Sequence, residues 1–297
     1  MVTSSQIPAW LSRMYPFRPA GFVTPSGARM SVLDEGARGG EAVLMLHGNP
    51  TWSFFYRDLV RELSPAIRCV APDHVGMGLS DKPAGYDYSL AGRIADIEAL
   101  VAHLKLTRVH LVVHDWGGAI GLGWAVRRPD LVGRIAILNT AAFAADRIPP
   151  RIAACRIPVL GEVIVRGLNG FAGPATRMAM HGRRLSAEER RGYLFPYDSW
   201  AHRIGVHRFV RDIPMEKGHP SRATLEAVER GLPALAACPK RIVWGMRDFC
   251  FDAYFLERWR KIYPEADVVR LADAGHYVLE DGGEPARRAV AEFLNPS

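Results

Sequence analysis

A largely apolar run, Val109-His110-Leu111-Val112-Val113, leads without a break into His114-Asp115-Trp116-Gly117-Gly118, and this junction constrains the fold more than any other stretch. The run reads as a buried strand. Gly117-Gly118-Ala119-Ile120-Gly121 opens a helix, so Asp115 falls on a sharp strand-to-helix turn. Such an elbow presents its side chain at the end of a sheet, where a serine would suit attack on a carbonyl carbon. Here the position holds a carboxylate, which is ionised at neutral pH without help. It can displace a leaving group from a saturated carbon, an ester forming as it does so.

Short apolar runs recur at Met30–Leu33, Ala42–Leu46, Ile67–Ala71 and Ile135–Leu138, with amphipathic stretches between them, notably Leu90–Leu104 and Ala119–Val126. This alternation predicts an α/β fold with a mostly parallel central sheet flanked by helices. From Ala141 to Ala223 the chain is rich in Arg, Gly and Pro and has no obvious buried strand. That segment predicts a helical cap insertion. Strand and helix patterns then return at Arg241–Trp244, Tyr254–Tyr263, Val268–Leu271 and Glu284–Leu294. The expected division is a core of residues 1–140 and 224–297 and a cap of 141–223.

The 297 residues suit one large α/β domain with an insertion, and 48% hydrophobic with 23% charged residues is ordinary for a globular chain. No apolar run reaches the length of a membrane span. Within Met1–Pro19 no continuous apolar stretch follows a basic start, so a signal peptide is not expected; Trp10-Leu11 could dock on the protein or on a partner. Cys69, Cys155, Cys238 and Cys250 are scattered without metal-ligand spacing, which predicts free thiols in a reducing cytoplasm and no zinc site. The net charge of +7 is concentrated between Asp146 and Arg230, where 15 Arg and Lys face 9 Asp and Glu. A basic face of this kind attracts acidic ligands, acidic proteins or anionic lipid, but no nucleic-acid motif accompanies it.

Three chemical positions follow one another along the chain, each just past a strand: Asp115, Asp248 in Gly245-Met246-Arg247-Asp248, and His276 in Asp273-Ala274-Gly275-His276-Tyr277. Sites gather at the carboxyl ends of parallel strands. The order nucleophile, acid, histidine is that of the α/β-hydrolase fold. In this reading Asp115 attacks carbon, His276 takes a proton from the water that hydrolyses the ester, and Asp248 holds the other ring nitrogen. Asp252 is a rival acid, less favoured because it lies farther from the strand end. Asn139 ends the preceding strand but is an amide, able to orient a water and unable to supply charge. No cofactor or metal is implied.

The leaving group needs donors of its own. The Asn49 amide, after His47-Gly48, and the Trp116 indole N–H can both donate, and neither gives up a proton readily. Such a pair suits a leaving group that departs as a stable anion. Asp73-His74-Val75-Gly76-Met77-Gly78-Leu79-Ser80-Asp81 reads as a Gly-rich turn without phosphate-loop spacing. Phe195–Trp200 and Phe209–Pro214 are candidate pocket walls.

These residues resemble the haloalkane dehalogenases. The most specific parts are His47-Gly48-Asn49-Pro50-Thr51-Trp52, His114-Asp115-Trp116-Gly117-Gly118, Gly245-Met246-Arg247-Asp248 and Gly275-His276-Tyr277. The resemblance implies Asp115 as nucleophile, His276 as base, Asp248 as acid, and Asn49 with Trp116 as halide-stabilising residues. Within the cap, Cys155–Gly161, Leu168–Phe171 and Pro196–Trp200 resemble a narrower branch that includes β-lactone decarboxylases of bacterial long-chain olefin biosynthesis. The implied partners are a small hydrophobic substrate, a haloalkane or a β-lactone, and a halide ion, with a homo-oligomer or a complex with other biosynthetic enzymes as a further option; membrane association is not indicated. An epoxide hydrolase would share the triad but needs acidic donors, for which Tyr193 and Tyr197 are candidates. A non-catalytic binding protein would be expected to break the triad, and none of its three positions is broken.

Overall fold

Eight strands form one sheet: β1 (Ala20–Val23), β2 (Arg29–Glu35), β3 (Glu41–Leu46), β4 (Arg68–Pro72), β5 (Arg108–Asp115), β6 (Val132–Thr140), β7 (Lys240–Gly245) and β8 (Asp267–Leu271). A computed structural model describes residues 7–294. The strand order is β1-β2-β4-β3-β5-β6-β7-β8. The β1–β2 and β2–β4 pairs are antiparallel, and every other pair is parallel. β4 is buried throughout and β5 at every position after Arg108. These strands are covered on both faces, which is why they read as continuous apolar runs without alternation. β1 lies at the exposed edge, and its Ala-Gly-Phe-Val sequence carries little strand signal.

The α-helices are α1 (Ala9–Ser12), α2 (Arg57–Leu63), α3 (Leu90–His103), α4 (Trp116–Ala125), α5 (Pro150–Arg156), α6 (Leu160–Glu162), α7 (Ala172–Met178), α8 (Ala187–Leu194), α9 (Ile204–Arg211), α10 (Pro220–Gly231), α11 (Ala253–Ile262), α12 (Val278–Asp281) and α13 (Gly283–Leu294), of which α5 to α9 lie between β6 and β7. Ser89 caps α3 by accepting from Gly92 N at 3.1 Å. Ser186 and Glu189 close a reciprocal capping box on α8. The break expected between residues 223 and 224 falls inside α10, a continuous helix packed against α3 and α4.

A buried polar cluster ties the insertion to the sheet domain. Glu280, in α12, accepts from Arg57 in α2, from Arg183 Nη2 at 2.7 Å and from the Tyr193 hydroxyl at 2.7 Å. At the other end, Arg93 in α3 meets Asp212, just past α9, at 2.9 Å. The Trp10–Leu11 segment docks on the protein itself. Leu11 is fully buried, and Trp10 stands edge-on to Phe195 at 5.9 Å with Arg191 over its ring. All four cysteines are unpaired. Among the described residues no helix is long and apolar enough to cross a membrane, and no cluster of His, Cys, Asp and Glu could hold a metal.

Candidate active site

Asp115 closes β5 and α4 begins at the next residue. Its backbone lies at φ 51°, ψ −126°, a conformation that side chains other than glycine rarely adopt. The turn is tight because the helix start is pressed onto β3: a Cβ on Gly117 would strike the Leu46 carbonyl oxygen. Gly48 is equally constrained, since a Cβ there would overlap the Asp115 carboxylate. The fully formed elbow aims the carboxylate at two backbone donors. Asn49 N–H reaches Asp115 Oδ1 at 2.6 Å, and the Trp116 N–H also donates to the carboxylate. Burial raises the Asp115 pKa above the usual carboxylate range, and His276 with these two N–H groups pulls against that rise.

Asp248 and His276 arrive from the ends of β7 and β8. His276 Nδ1 stands 2.8 Å from Asp248 Oδ2, and Nε2 stands 3.8 Å from Asp115 Oδ2. Burial works against the imidazolium, but Asp248 and then Asp115 outweigh it, so the His276 pKa is raised. Asp248 is held in turn by Asn139 Nδ2 at 3.0 Å and by Cys250 N–H at 2.6 Å. Asn139 also pairs with both backbone groups of Gly245, donating at 3.1 Å and accepting at 2.8 Å. It therefore fixes β7 and the Asp248 carboxylate, a task the sequence reading did not give it. Asp252 is turned away: it caps α11 through Tyr254 N and pairs with Arg147 at 2.8 Å.

Two further histidines support the site as neutral rings. His47 Nδ1 donates to Gly48 O at 2.7 Å while its Nε2 accepts from His74 N–H at 3.1 Å, and burial lowers its pKa to about 4. His114 is stacked on Phe55 at 4.5 Å and donates from Nε2 to the His276 carbonyl at 2.9 Å, so the residue before the elbow anchors the backbone of the distant histidine.

Asn49 and Trp116 both line a cavity of about 500 Å³ that also contains Asp115 and His276. Asn49 Nδ2 donates to Val206 O at 3.0 Å, which ties this loop to α9 and leaves the amide a second N–H to give. The walls are mainly apolar: Phe143, Ile148, Ile152, Phe171, Met178, Ile213, Leu225 and Phe251 among them. Arg147 and Arg151 stand where this cavity meets a second one of about 370 Å³. The chemical elements thus brought together are a buried carboxylate, a carboxylate-bound imidazole and an apolar chamber.

A family model described as alpha/beta hydrolase fold matches residues 41–154. The cis-3-alkyl-4-alkyloxetan-2-one decarboxylase of Xanthomonas campestris is 44% identical over 291 residues, covering 94% of this chain and 97% of that protein. Haloalkane dehalogenase 2 of Mycobacterium bovis is 33% identical over 285 residues, covering 94% and 96%. The chain belongs to the haloalkane dehalogenase family, in the branch that contains the oxetanone decarboxylases. The solved haloalkane dehalogenase DbeA of Bradyrhizobium elkani superposes on it with a TM-score of 0.84 at 27% identity, over 94% of this chain and 97% of that one.

Within this family framework, three readings of the cap meet the structure differently. Phe195–Trp200 does not line the cavity: Phe195 packs on Trp10, and the Tyr197 hydroxyl donates to Thr51 O at 3.2 Å. From the second candidate wall only Val210, Ile213 and Pro214 face the cavity; Phe209 lies under the Arg93 guanidinium instead. Tyr193 and Tyr197 are both buried outside the cavity with their hydroxyls engaged elsewhere. The two acidic donors that an epoxide hydrolase would need are therefore not in place.

Proposed function

We propose that this chain is a β-lactone decarboxylase that opens cis-3-alkyl-4-alkyloxetan-2-ones with Asp115 and releases carbon dioxide and an alkene. The observation that carries the reading is the near full-length likeness to the oxetanone decarboxylases, 44% against 33% for the dehalogenase. Both reactions expected from the sequence stand, and the decarboxylase comes first on that ground.

The chemistry is one substitution followed by one elimination. Asp115 Oδ2 bonds to ring carbon 4, and the bond from that carbon to the ring oxygen breaks, leaving a free carboxylate on carbon 3. Strain in the four-membered ring drives this step. Attack from the face opposite the ring oxygen inverts carbon 4, so the new ester oxygen is placed anti to the carboxylate without any bond rotation. The bond between carbon 3 and its carboxylate then breaks, its electron pair forms the double bond, and Asp115 departs with the electrons of the ester bond. Atoms balance without water: one lactone gives one alkene, one carbon dioxide and the free aspartate. Inversion followed by anti elimination turns a cis lactone into a cis alkene. Asn49 and Trp116 fit the leaving carboxylate, an anion that needs no proton.

A second reading, hydrolytic dehalogenation, is favoured by Trp116, whose indole lines the cavity and makes no hydrogen bond among the described residues. There Asp115 would displace halide, and a water activated by His276 would hydrolyse the ester to an alcohol. The deciding experiment is a parallel assay on a bromoalkane and a long-chain cis β-lactone. Alkene formation is expected to exceed halide release in catalytic efficiency. Halide release without any alkene would remove the decarboxylase reading.

A further inference from the structure

Eight large apolar side chains are well exposed among the described residues, and six of them belong to the cap: Ile157, Val159, Leu160, Val163, Leu168 and Trp200. Five of them fall within residues 157–168, and Trp200 lies against that segment. A Cβ at Gly167 would lie 3.6 Å from the Trp200 ring and 3.8 Å from Val163, so the 157–168 segment and Trp200 meet across that glycine. Single exposed hydrophobics are ordinary, whereas a contiguous cluster marks an interaction surface.

The backbone beneath the cluster is unusual in two ways. Val159, a β-branched residue, lies at φ 63°, and it is the most exposed of the eight at 77%. Immediately after α6, Val163–Gly167 forms a π-helical turn, a form concentrated at functional sites. Strain that holds an apolar side chain in water does nothing for an isolated molecule, and strained backbone persists mainly where function uses it.

The rim of this surface is basic. Arg166 covers the Trp200 ring at 4.5 Å, Arg203 donates to the Arg166 carbonyl, and Arg211 donates to the Arg156 carbonyl at 2.8 Å. Two carboxylates answer them: Glu162 pairs with Arg166, and Glu216 pairs with Arg156. Arg203, Arg208 and Arg211 make no ion pair among the described residues. An apolar centre carrying a tryptophan, surrounded by surplus arginine, matches what seats a protein in the headgroup boundary of an anionic bilayer.

We propose that this face of the cap docks on an anionic lipid surface, its apolar side chains entering the headgroup boundary and its arginines meeting the phosphates. The cavity wall is close by. Helix α5 turns Ile152 and Cys155 toward the cavity, carries Arg151 where the two cavities meet and ends where the exposed segment starts. Its seven residues span about 10 Å. A docked cap therefore holds this wall of the cavity near the bilayer, where a water-insoluble substrate resides. Only that consequence rests on the proposed reaction; docking itself is measured without turnover.

The test is flotation of the full chain with vesicles of phosphatidylcholine alone or mixed with phosphatidylglycerol. The chain should float with the mixed vesicles, remain below with phosphatidylcholine alone, and be released by high salt. Val159→Asp with Leu168→Asp should lower the floating fraction about tenfold or more. Leu168→Ser alone, with Tm and circular dichroism measured alongside, serves should the double variant fail to fold. Absence of flotation with mixed vesicles, or unchanged flotation of folded variants, would overturn the proposal. So would a dimer, seen by sedimentation, that the substitutions dissolve while the vesicles capture nothing, since the face would then join two copies of the chain.

Discussion

Asn139 and His276 donate to the same oxygen, Asp248 Oδ2, at 3.0 and 2.8 Å. The Asp248 carboxylate is therefore held from two sides, by the His276 imidazole and by an amide clamped to β7. Asn139→Ala should leave the fold intact but let the carboxylate turn. Loss of the triad acid itself costs about 10⁴ in kcat in a related arrangement, so loss of one support should cost about tenfold, in kcat with KM little changed. Steady-state kinetics of alcohol formation from a bromoalkane reads this directly. An unchanged kcat would mean that Asn139 serves β7 only.

In the proposed mechanisms His276 separates the two reactions. Hydrolysis of an alkyl ester on Asp115 needs an activated water, whereas decarboxylative elimination consumes none. His276→Ala should therefore stall on a bromoalkane with the alkyl group bound to Asp115, visible as a mass increase of the intact protein. On a cis β-lactone the same variant should continue to release alkene. Asp115→Ala should abolish both activities while the protein remains folded. Equal loss of both reactions in His276→Ala would contradict the water-free elimination.

The pH dependence follows from the same division. As the proposed base, His276 would have to be neutral to activate water, and its pKa is raised above 6.5 by Asp248 and Asp115 despite burial. Alcohol formation should then fall as pH drops through that raised value, on the alkaline side of an ordinary histidine. Alkene formation asks only that Asp115 be ionised. Burial lifts the Asp115 pKa from 3.8, so this limb also moves upward but starts from a carboxylate. The two acid limbs report different groups, Asp115 for the alkene and His276 for the alcohol, and should not coincide. Superimposed profiles would sink the separation.

The elbow was legible in the sequence because everything that defines it is local: an apolar strand, one carboxylate and two glycines in succession. Asp248 and His276 were legible because parallel strands deliver their ends to one side of a sheet. The cap was not. Its contacts join residues far apart in the chain, such as the Asn49 amide and the Val206 carbonyl or Phe195 and Trp10. Periodicity within the cap says which face of a helix is apolar and leaves open whether that face meets the cavity or its neighbours. This is why Phe195–Trp200 read as a cavity wall and proves to be packing. His114 was overlooked for a related reason: its partner, the carbonyl of His276, belongs to the backbone and has no signature in the sequence.

Glu280 offers the sharpest test of how cap and sheet domain are held together. It is 4% exposed and accepts from Arg57, Arg183 and Tyr193. Glu280→Ala would leave the Arg57 guanidinium buried without its main counter-ion and strand the Tyr193 hydroxyl. Breaking a buried pair from one side costs about 3–5 kcal/mol, which for a domain of this size lowers Tm by about 10 °C. Arg57→Leu combined with Glu280→Leu should lose clearly less than the two single changes added together, because no uncompensated charge remains in the interior. Thermal unfolding of the parent chain, Arg57→Leu, Glu280→Leu and the double variant checks this, with Glu280→Ala measured beside them. Strict additivity would mean that the two side chains are not energetically coupled and that the cap is held chiefly by its apolar contacts.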